Sequence, residues 1–161
     1  MAVIDVVVEI PRGSQNKYEV DHHTGRIRLD RVLFSPFHYP TDYGFVPDTL
    51  GEDGDPLDTM VLISQPTFPG CTLRARLVGM LEMSDENGVD HKVLAVCEDD
   101  PRFLHVTELD HVSPHQLKEI AHFFSVYKTL ENKPTAVGSW APRTTAERIL
   151  QESVDRYRSQ A

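Results

Sequence analysis

The chain divides into a long region of short extended runs and a shorter helical region, and this division limits the folds open to it. Between residues 3 and 98, runs with β-branched or alternating residues recur, and Gly or Pro separates many of them. They read VIDVVVEI, RIRLDRVLF, TMVLIS, TLRARLVGMLEM and KVLAVC. This succession predicts an antiparallel or barrel-like sheet. The alternation in TLRARLVGM predicts one buried and one solvated face, with Arg74 and Arg76 on the solvated face.

Two helices are predicted after the strands. The first has Ser113 as its N-cap, a first-turn proline and an apolar stripe at helical spacing that continues to about Leu130. The second opens at Thr144, with Glu147 three residues later, and is expected to pack across the sheet. Strands followed by helices, with no flexible linker between them, predict a single α+β domain over residues 1–161.

Composition and charge restrict the partners and the compartment. The net charge of -9 and the pI near 5.3 disfavour nucleic acid and anionic membranes, whose binding depends on clustered Lys and Arg. Cys71 and Cys97 have no CxxC spacing, which favours buried free thiols in a reducing cytosol. The apolar run at residues 1–10 carries Asp5 and Glu9 and has no basic flank, so it is typical of a strand and not of an export signal. We therefore expect a cytoplasmic protein with no nucleic-acid or membrane partner.

A first acidic segment, GEDGDPLD at residues 51–58, contains no Lys or Arg. If the segment is extended, Asp53 and Asp55 point to the same side, and Pro56 then bends the chain so that Asp58 reaches the same space. Carboxylates grouped in this way suit Mg²⁺ or Mn²⁺. A solvated acidic turn is the alternative interpretation. An EF-hand is a poor match, because no Glu stands at the twelfth position of the loop.

A second acidic segment, MSDENGVDHK, supplies Asp85, Glu86 and Asp90 and ends in Lys92. Taken alone, it is typical of an ordinary hairpin loop between two strands. Glu9 at the end of the first run could likewise be an ordinary strand-end acid. Together, the two segments and Glu9 offer more carboxylates than one divalent ion could use.

Cationic and phenolic side chains are interspersed among these acids. Each one alone could be a surface charge or an aromatic at the edge of the core. Their coincidence with several carboxylates suits a small polyanion such as phosphate, whose oxygens would be shared between metal ions and basic groups. The side chains concerned, with the acids nearest them, are Lys17, Glu19, Arg31, Tyr39, Asp42, Tyr43, Tyr127 and Lys128.

The order of these motifs resembles the soluble family I inorganic pyrophosphatases, in their short bacterial and specifically actinobacterial form. The resemblance rests on EIPRGSQNKYEVD, LDRVLF, YPTDYGFVPDTLGEDGDPLD, RLVGMLEMSDENGVDHK and IAHFFSVYKTLE, and it extends from about Val3 to Tyr157. It implies a five-stranded OB-like antiparallel β-barrel with two main flanking α-helices. It also implies hydrolysis of inorganic diphosphate, several Mg²⁺ ions per site with Mn²⁺ or Zn²⁺ as substitutes, and a homohexamer.

The same resemblance implies a role for each residue of the site. The metal ligands would be Glu9, Asp53, Asp58, Asp85 and Asp90, and the phosphate-binding residues would be Lys17, Arg31, Tyr43, Lys92, Tyr127 and Lys128. Glu19, Tyr39 and Glu86 would support them. Asp55 is the first choice for the base that takes a proton from the attacking water, and Asp90 is the second.

Two other functions remain open from the sequence. A noncatalytic divalent-ion buffer would account for the acids and would leave the basic and phenolic residues without a role. A broader hydrolase of nucleotide phosphoanhydrides would need a surface for a base or a ribose, and no motif for one is present. His22 and His23 could make a nearby metal site sensitive to pH, or could simply be exposed on a turn. Some relatives have His where Asn87 stands, so the role of that position is open.

Overall fold

The computed structural model describes residues 2–160, so Met1 and Ala161, the ends of the predicted domain, lie outside the described residues. Its strands are β1 (Val3–Ile10), β2 (Asn16–Val20), β3 (Ile27–Val32), β4 (Asp42–Phe45), β5 (Asp58–Leu62), β6 (Thr72–Asp85), β7 (Gly88–Val89), β8 (Lys92–Cys97) and β9 (Thr135–Pro142). Its α-helices are α1 (Pro114–Val126) and α2 (Arg143–Arg158). Short 3-10 turns occupy Pro101–Phe103, Leu109–His111 and Thr129–Glu131. None of the helices at residues 2–160 is long and apolar enough to cross a membrane.

Five strands close into a barrel. β1 pairs with β4, β4 with β5, β5 with β8, β8 with β6, and β6 returns to β1. This ring has the chain order of an OB-like barrel and carries two α-helices outside it, so the predicted architecture is confirmed. The β5–β8 pairing is parallel and the other four are antiparallel, so the barrel is mixed and not wholly antiparallel as predicted.

Three further pairings lie outside this ring. β2 and β3 form a separate antiparallel hairpin, in which Lys17 lies opposite Arg31. The second half of the long strand β6 also pairs with β9 and with the short β7. Sequence reasoning missed four strands: β2 and β4 are short, β7 has only two residues, and β9 contains Gly and Pro.

Apolar side chains fill both sides of the barrel wall. Strand β8 is buried along its whole length, with Leu94 packing into the cluster shared with α1 and Val93 into the cluster shared with α2. This explains why KVLAVC is a continuous apolar run and does not alternate. Helix α1 contributes Ile120 and Phe124, and helix α2 contributes the fully buried Ala146. The barrel therefore forms a rigid frame between the two helices.

Arg76 differs from its prediction. It is buried, not solvated, and its guanidinium donates to the carbonyl oxygens of Phe103 and Val106 and to Glu98. The alternation rule fails here because the loop after β8 covers this face of β6. Arg74, by contrast, is exposed and pairs with Asp99.

The structure also refines the predictions for the helix boundaries and the cysteines. Ser113 precedes α1 as predicted, but its hydroxyl makes no capping hydrogen bond, and α1 ends at Val126, so Leu130 lies in a separate 3-10 turn. Helix α2 begins one residue before Thr144, because β9 runs straight into it through Pro142. Both cysteines are free thiols, with Cys97 buried and Cys71 only partly so.

Gly44 allows β1 and β4 to approach closely. A Cβ atom at Gly44 would lie 1.9 Å from the backbone oxygen of Val7, which cannot move without breaking the barrel pairing. We expect Gly44→Ala to lower the free energy of unfolding by about 3 kcal/mol or more, measured by urea denaturation. Gly138→Ala in β9 is the matched control, because its nearest neighbour would be 3.3 Å away. Equal stability of the two variants would contradict this role of Gly44.

Candidate active site

One cleft of about 350 Å³ collects the acidic and the basic segments of the sequence. Its walls come from the β2–β3 hairpin, the loop before β5, the β6–β7 turn, the start of β8 and the chain after α1. Every residue to which the family resemblance gave a catalytic, metal-binding or phosphate-binding role lines this cleft: Glu9, Lys17, Arg31, Tyr43, Asp53, Asp55, Asp58, Asp85, Asp90, Lys92, Tyr127 and Lys128. Their grouping is a finding, whereas their individual roles stay predictions.

Lys92 lies at the centre of the cleft floor. The parallel β5–β8 register places it beside Asp58, and its Nζ lies 3.0 Å from Asp58 Oδ2 and 3.1 Å from Asp90 Oδ2. The same ammonium donates to Tyr43 Oη at 2.8 Å. Three segments distant in sequence are therefore joined through one buried cation.

The charges around Lys92 keep it protonated. Burial works to lower its pKa, but the neighbouring Asp58 and Asp90 raise that pKa well above its usual value. Burial, followed by the charge of Asp58, raises the pKa of Tyr43 well above its usual value, so this phenol keeps its proton. The three ammonium hydrogens are directed at Tyr43, Asp58 and Asp90, so the cleft floor presents a fixed positive charge and a neutral hydroxyl that can donate its own hydrogen to an anion.

The carboxylate loop, residues 51–58, is a tight turn. Asp53 Oδ1 accepts a hydrogen bond from the backbone N–H of Asp55 at 3.1 Å, and Gly51 N–H donates to Asp55 O at 2.6 Å. Gly54 adopts φ +90°, a conformation that favours glycine. The prediction of an extended segment was therefore wrong. Asp53 and Asp55 share the cleft because the chain winds around Gly54.

The second acidic segment forms the predicted hairpin turn between β6 and β7. Asn87 N–H donates to Asp85 Oδ1 at 2.8 Å, which turns this carboxylate back over the hairpin. Lys128, which follows α1, reaches across the cleft to Asp85 at 3.4 Å and Glu86 at 3.2 Å. Burial works to lower the pKa of Lys128, but Tyr127 and these two carboxylates raise it.

The β2–β3 hairpin supplies the cations of the opposite wall. Lys17 pairs with Asp30 at 3.0 Å, and Arg31 Nη1 pairs with Glu131 Oε1 at 2.5 Å. Sequence reasoning missed Asp30, Glu131 and a further cleft residue, Lys133. Asp30 directly precedes Arg31 in the quoted LDRVLF, so adjacency was an available signal. No local pattern connects Glu131 with an arginine 100 residues away.

Three carboxyl groups of the cleft have a raised pKa, because their surroundings disfavour the ionised form. Burial, only partly offset by a hydrogen bond from Val20 N–H, raises the pKa of Glu9 from its ordinary 4.5 to about 7. Burial first, and then the charge of Asp90, raises the pKa of Asp53. Burial likewise raises the pKa of Asp90, with a further contribution from Asp58. Each of these acids would be stabilised by a cation brought into the cleft.

This donor set fits hard divalent cations, which prefer carboxylate oxygens. Within residues 2–160, however, no three His, Cys, Asp or Glu side chains converge closely enough to form a metal site as they stand. The ammonium groups of Lys92 and Lys128 contact four of the acids instead. The chemistry of the residues fits a metal, and their assignment as ligands stays a prediction.

The remaining predicted residues occupy different depths. Tyr39 is fully buried behind the cleft, and its ring centroid lies 5.4 Å from that of Tyr43, so it supports the wall without lining it. Glu19 and Asn87 line the cleft, as does His22, whose ring meets Phe45 edge-on at 5.3 Å. His23 is exposed on the hairpin turn, which agrees with the interpretation that His22 and His23 are simply exposed on a turn.

The fold and the cleft define a class: an OB-like barrel with a floor and walls suited to a small polyanion bound together with cations. The family model described as inorganic pyrophosphatase matches residues 6–158, nearly the whole chain. The protein therefore belongs to the inorganic pyrophosphatase family. This finding confirms the resemblance drawn from the motifs.

Individual relatives agree with the family assignment. An inorganic pyrophosphatase of Streptomyces coelicolor is 55% identical over 157 residues, covering 97% of this chain and 96% of the relative. One from Methanosarcina mazei is 52% identical, covering 96% and 92%. Among solved structures, the inorganic pyrophosphatase of Thermus thermophilus superposes with a TM-score of 0.95 at 45% identity, covering 97% of this chain and 91% of that one.

The raised pKa of Glu9 predicts a pH dependence of stability. The folded chain favours the protonated carboxyl, so the ion-free protein should lose stability as pH rises from about 4.5 to about 7. Glu9→Gln removes this loss and should be more stable than the wild type at about pH 8 by up to about 3 kcal/mol, with little difference near pH 4. Urea denaturation in the presence of a chelator measures the effect.

The same substitution at the exposed Glu82 is the control. It should leave the pH profile of the free energy of unfolding unchanged. A Glu9→Gln profile parallel to that of the wild type would show that Glu9 does not titrate in this window.

Proposed function

We propose that this protein hydrolyses inorganic diphosphate to two orthophosphates by direct attack of water on phosphorus. The chain belongs to the inorganic pyrophosphatase family, and it matches relatives of that name over nearly their whole length. Both findings support the activity. The observation that carries the proposal is the single cleft in which both acidic segments meet the Lys, Arg and Tyr side chains. An ion buffer would not need those basic and phenolic groups.

The size and lining of the cleft favour a small substrate. Its walls are mostly charged, polar or phenolic, and Ile10, Phe45 and Pro56 are the apolar residues of the lining. Phe45 is largely buried and the ring of His22 meets it edge-on, so Phe45 offers little exposed face on which a nucleobase could stack. A diphosphate group fits the described lining better than a nucleotide does.

The proposed binding residues act from opposite walls. Lys17 and Arg31, opposite one another on the β2–β3 hairpin, would hold the oxygens of one phosphate. Tyr43 would donate to the substrate from the floor, and Lys92 would do so once cations replace it at Asp58 and Asp90; both keep their protons. Lys128, together with Tyr127, would close the third side. Donors fixed before substrate arrives stabilise the charge that develops on phosphate oxygens during attack.

The family is metal-dependent, and we propose Mg²⁺ as the ion used, several per site, with Mn²⁺ or Zn²⁺ as substitutes. Glu9, Asp53, Asp58, Asp85 and Asp90 would hold the ions. When bound, such ions supply Lewis-acid chemistry that lowers the pKa of water and neutralises charge on phosphate oxygens. Binding of cations would also relieve the repulsion that raises the pKa of Asp53 and Asp90.

Asp55 is the proposed proton acceptor. It lies on the carboxylate loop, is exposed to the cleft and makes no ion pair within residues 2–160. Its carboxylate oxygens are therefore free to take the proton of the attacking water while the P–O–P bond breaks and orthophosphate leaves. Asp90, which is tied to Lys92, is the second candidate.

We further propose that the chain acts as one domain in the cytoplasm and assembles as a homohexamer, with no nucleic-acid or membrane partner. The net charge of -9 and the free thiols are consistent with this setting. Gel filtration with light scattering would test the assembly.

Phosphate release from diphosphate and from ATP tests the activity. We expect release from diphosphate with Mg²⁺, loss of release with a chelator, and much slower release from ATP. No release from diphosphate would favour the noncatalytic ion buffer. Faster release from ATP would favour the nucleotide hydrolase.

Asp55→Asn tests the proton acceptor. The variant should lose about 10²-fold or more of kcat, because an amide cannot take the proton, while still binding Mn²⁺ and diphosphate. Calorimetric titration and steady-state kinetics together measure both properties. Asp48→Asn, on the exposed chain before the carboxylate loop, is the control. Turnover near the wild-type value in Asp55→Asn would transfer the role to Asp90.

A further inference from the structure

Helix α2 holds the carboxylate loop from behind, at a point that the proposed chemistry does not use. Leu50 immediately precedes the loop, and both of its backbone polar groups bond to the last turns of α2. Its N–H donates to Ser153 O at 3.0 Å, and its carbonyl accepts from Arg156 Nη1 at 2.7 Å. These two contacts join parts of the chain that are about a hundred residues apart.

The base of the loop is closed independently of α2. Val46 N–H donates to Leu57 O at 3.0 Å, and the buried Thr49 hydroxyl bridges the two ends by donating to Val46 O and accepting from Leu57 N–H. These bonds fix where the chain leaves and rejoins the barrel. They do not fix the height of the intervening turn over the cleft.

Side chains do not fill the space between the turn and α2. A partly open pocket of about 40 Å³ lies there, lined by Asp53, Pro56 and Asp58 on the loop side and by Ile149 and Arg156 on the helix side. A space of this size, with polar groups in its lining, can hold water. Because packing against the turn is incomplete, the polar contacts at Leu50 are the direct means by which α2 positions it.

A shift at Leu50 would pass directly to the acids. Gly51 is the next residue, and its N–H binds Asp55 O at 2.6 Å. The turn is tightly wound at this point, since a Cβ on Gly51 would lie 3.0 Å from Asp53 Oδ1. Movement of the Leu50–Gly51 peptide would therefore displace Asp53 and Asp55 together.

We propose that Arg156 is a positioning residue for the active site: its hydrogen bond to the Leu50 carbonyl holds the carboxylate loop at the height needed to bind divalent cations. The inference rests on the proposed function for its meaning in catalysis. The cation affinity that it concerns can be measured without substrate. Arg156 does not line the cleft proposed for the substrate.

Manganese binding to the ion-free protein tests the proposal. Arg156→Met retains the apolar stem and removes the donor, and we expect the Mn²⁺ dissociation constant, measured by electron paramagnetic resonance of free Mn²⁺, to rise about tenfold. Arg156→Lys, which can still donate to a carbonyl, should show a smaller rise. The Mg²⁺ concentration for half-maximal hydrolysis of diphosphate should shift in the same order.

Arg158→Met is the matched control. It removes the same charge from the same last turn of α2, and Arg158 makes no hydrogen bond to the loop. Its Mn²⁺ affinity should equal that of the wild type. All measurements are made well below the unfolding midpoint of each variant, so that a loss of global stability does not appear as a loss of affinity.

Equal dissociation constants for the wild type, Arg156→Lys and Arg156→Met would overturn the inference, as would an equal loss in Arg158→Met. If Arg156→Met does not fold, Arg156→Leu, which also lacks the donor, takes its place under the same criterion. Failure of the wild type to hydrolyse diphosphate would refute the proposed function alone, because the Mn²⁺ measurements would stand.

Discussion

The contact of Lys92 with Asp58 and Asp90 is the interaction on which the site depends. An ammonium that is fully buried is costly unless carboxylates and hydrogen bonds surround it. Here the carboxylates come from β5 and from the turn before β8, and the phenol of Tyr43 completes the set. Removing Lys92 would leave two carboxylates repelling each other with no cation between them, and removing Tyr43 would leave a buried ammonium hydrogen without its acceptor. The arrangement therefore fixes the relative position of three segments more strictly than apolar packing could.

The parallel β5–β8 pair is what makes this contact possible. In the barrel, these strands run side by side in the same direction, so that both begin at the cleft end. Asp58 is the first residue of β5 and Lys92 the first residue of β8. The turns that precede both strands, with their acids, must consequently lie at the same end of the barrel. The OB-like topology brings the two acidic segments together without any direct attraction between them.

Sequence reasoning succeeded where the signal was local or carried by a specific motif. The barrel strands rich in β-branched residues, the two helices and the membership of the cleft could all be predicted. It failed where a distant segment decides the outcome. Arg76 alternates as a solvated residue but is buried by a later loop, and Glu131 meets Arg31 only because the chain after α1 returns to the hairpin. Asp53 and Asp55 were grouped correctly for a wrong reason, since Gly54 turns the chain.

The stability of the barrel and its helices allows the protein to keep several carboxylates close together, although this arrangement is unfavourable without cations. Crowded carboxylates raise the pKa of Asp53, Asp90 and Glu9 through burial and repulsion, and so the ion-free cleft opposes its own ionisation. The closed barrel and its two helices keep the acids in place despite this opposition. A cation that enters the cleft removes the repulsion between the acids, and folding has already met the cost of desolvating them. The unfavourable energy of the ion-free cleft therefore adds to the affinity for cations. Ion binding should therefore depend on the rigidity of the frame behind the acids as much as on the acids themselves.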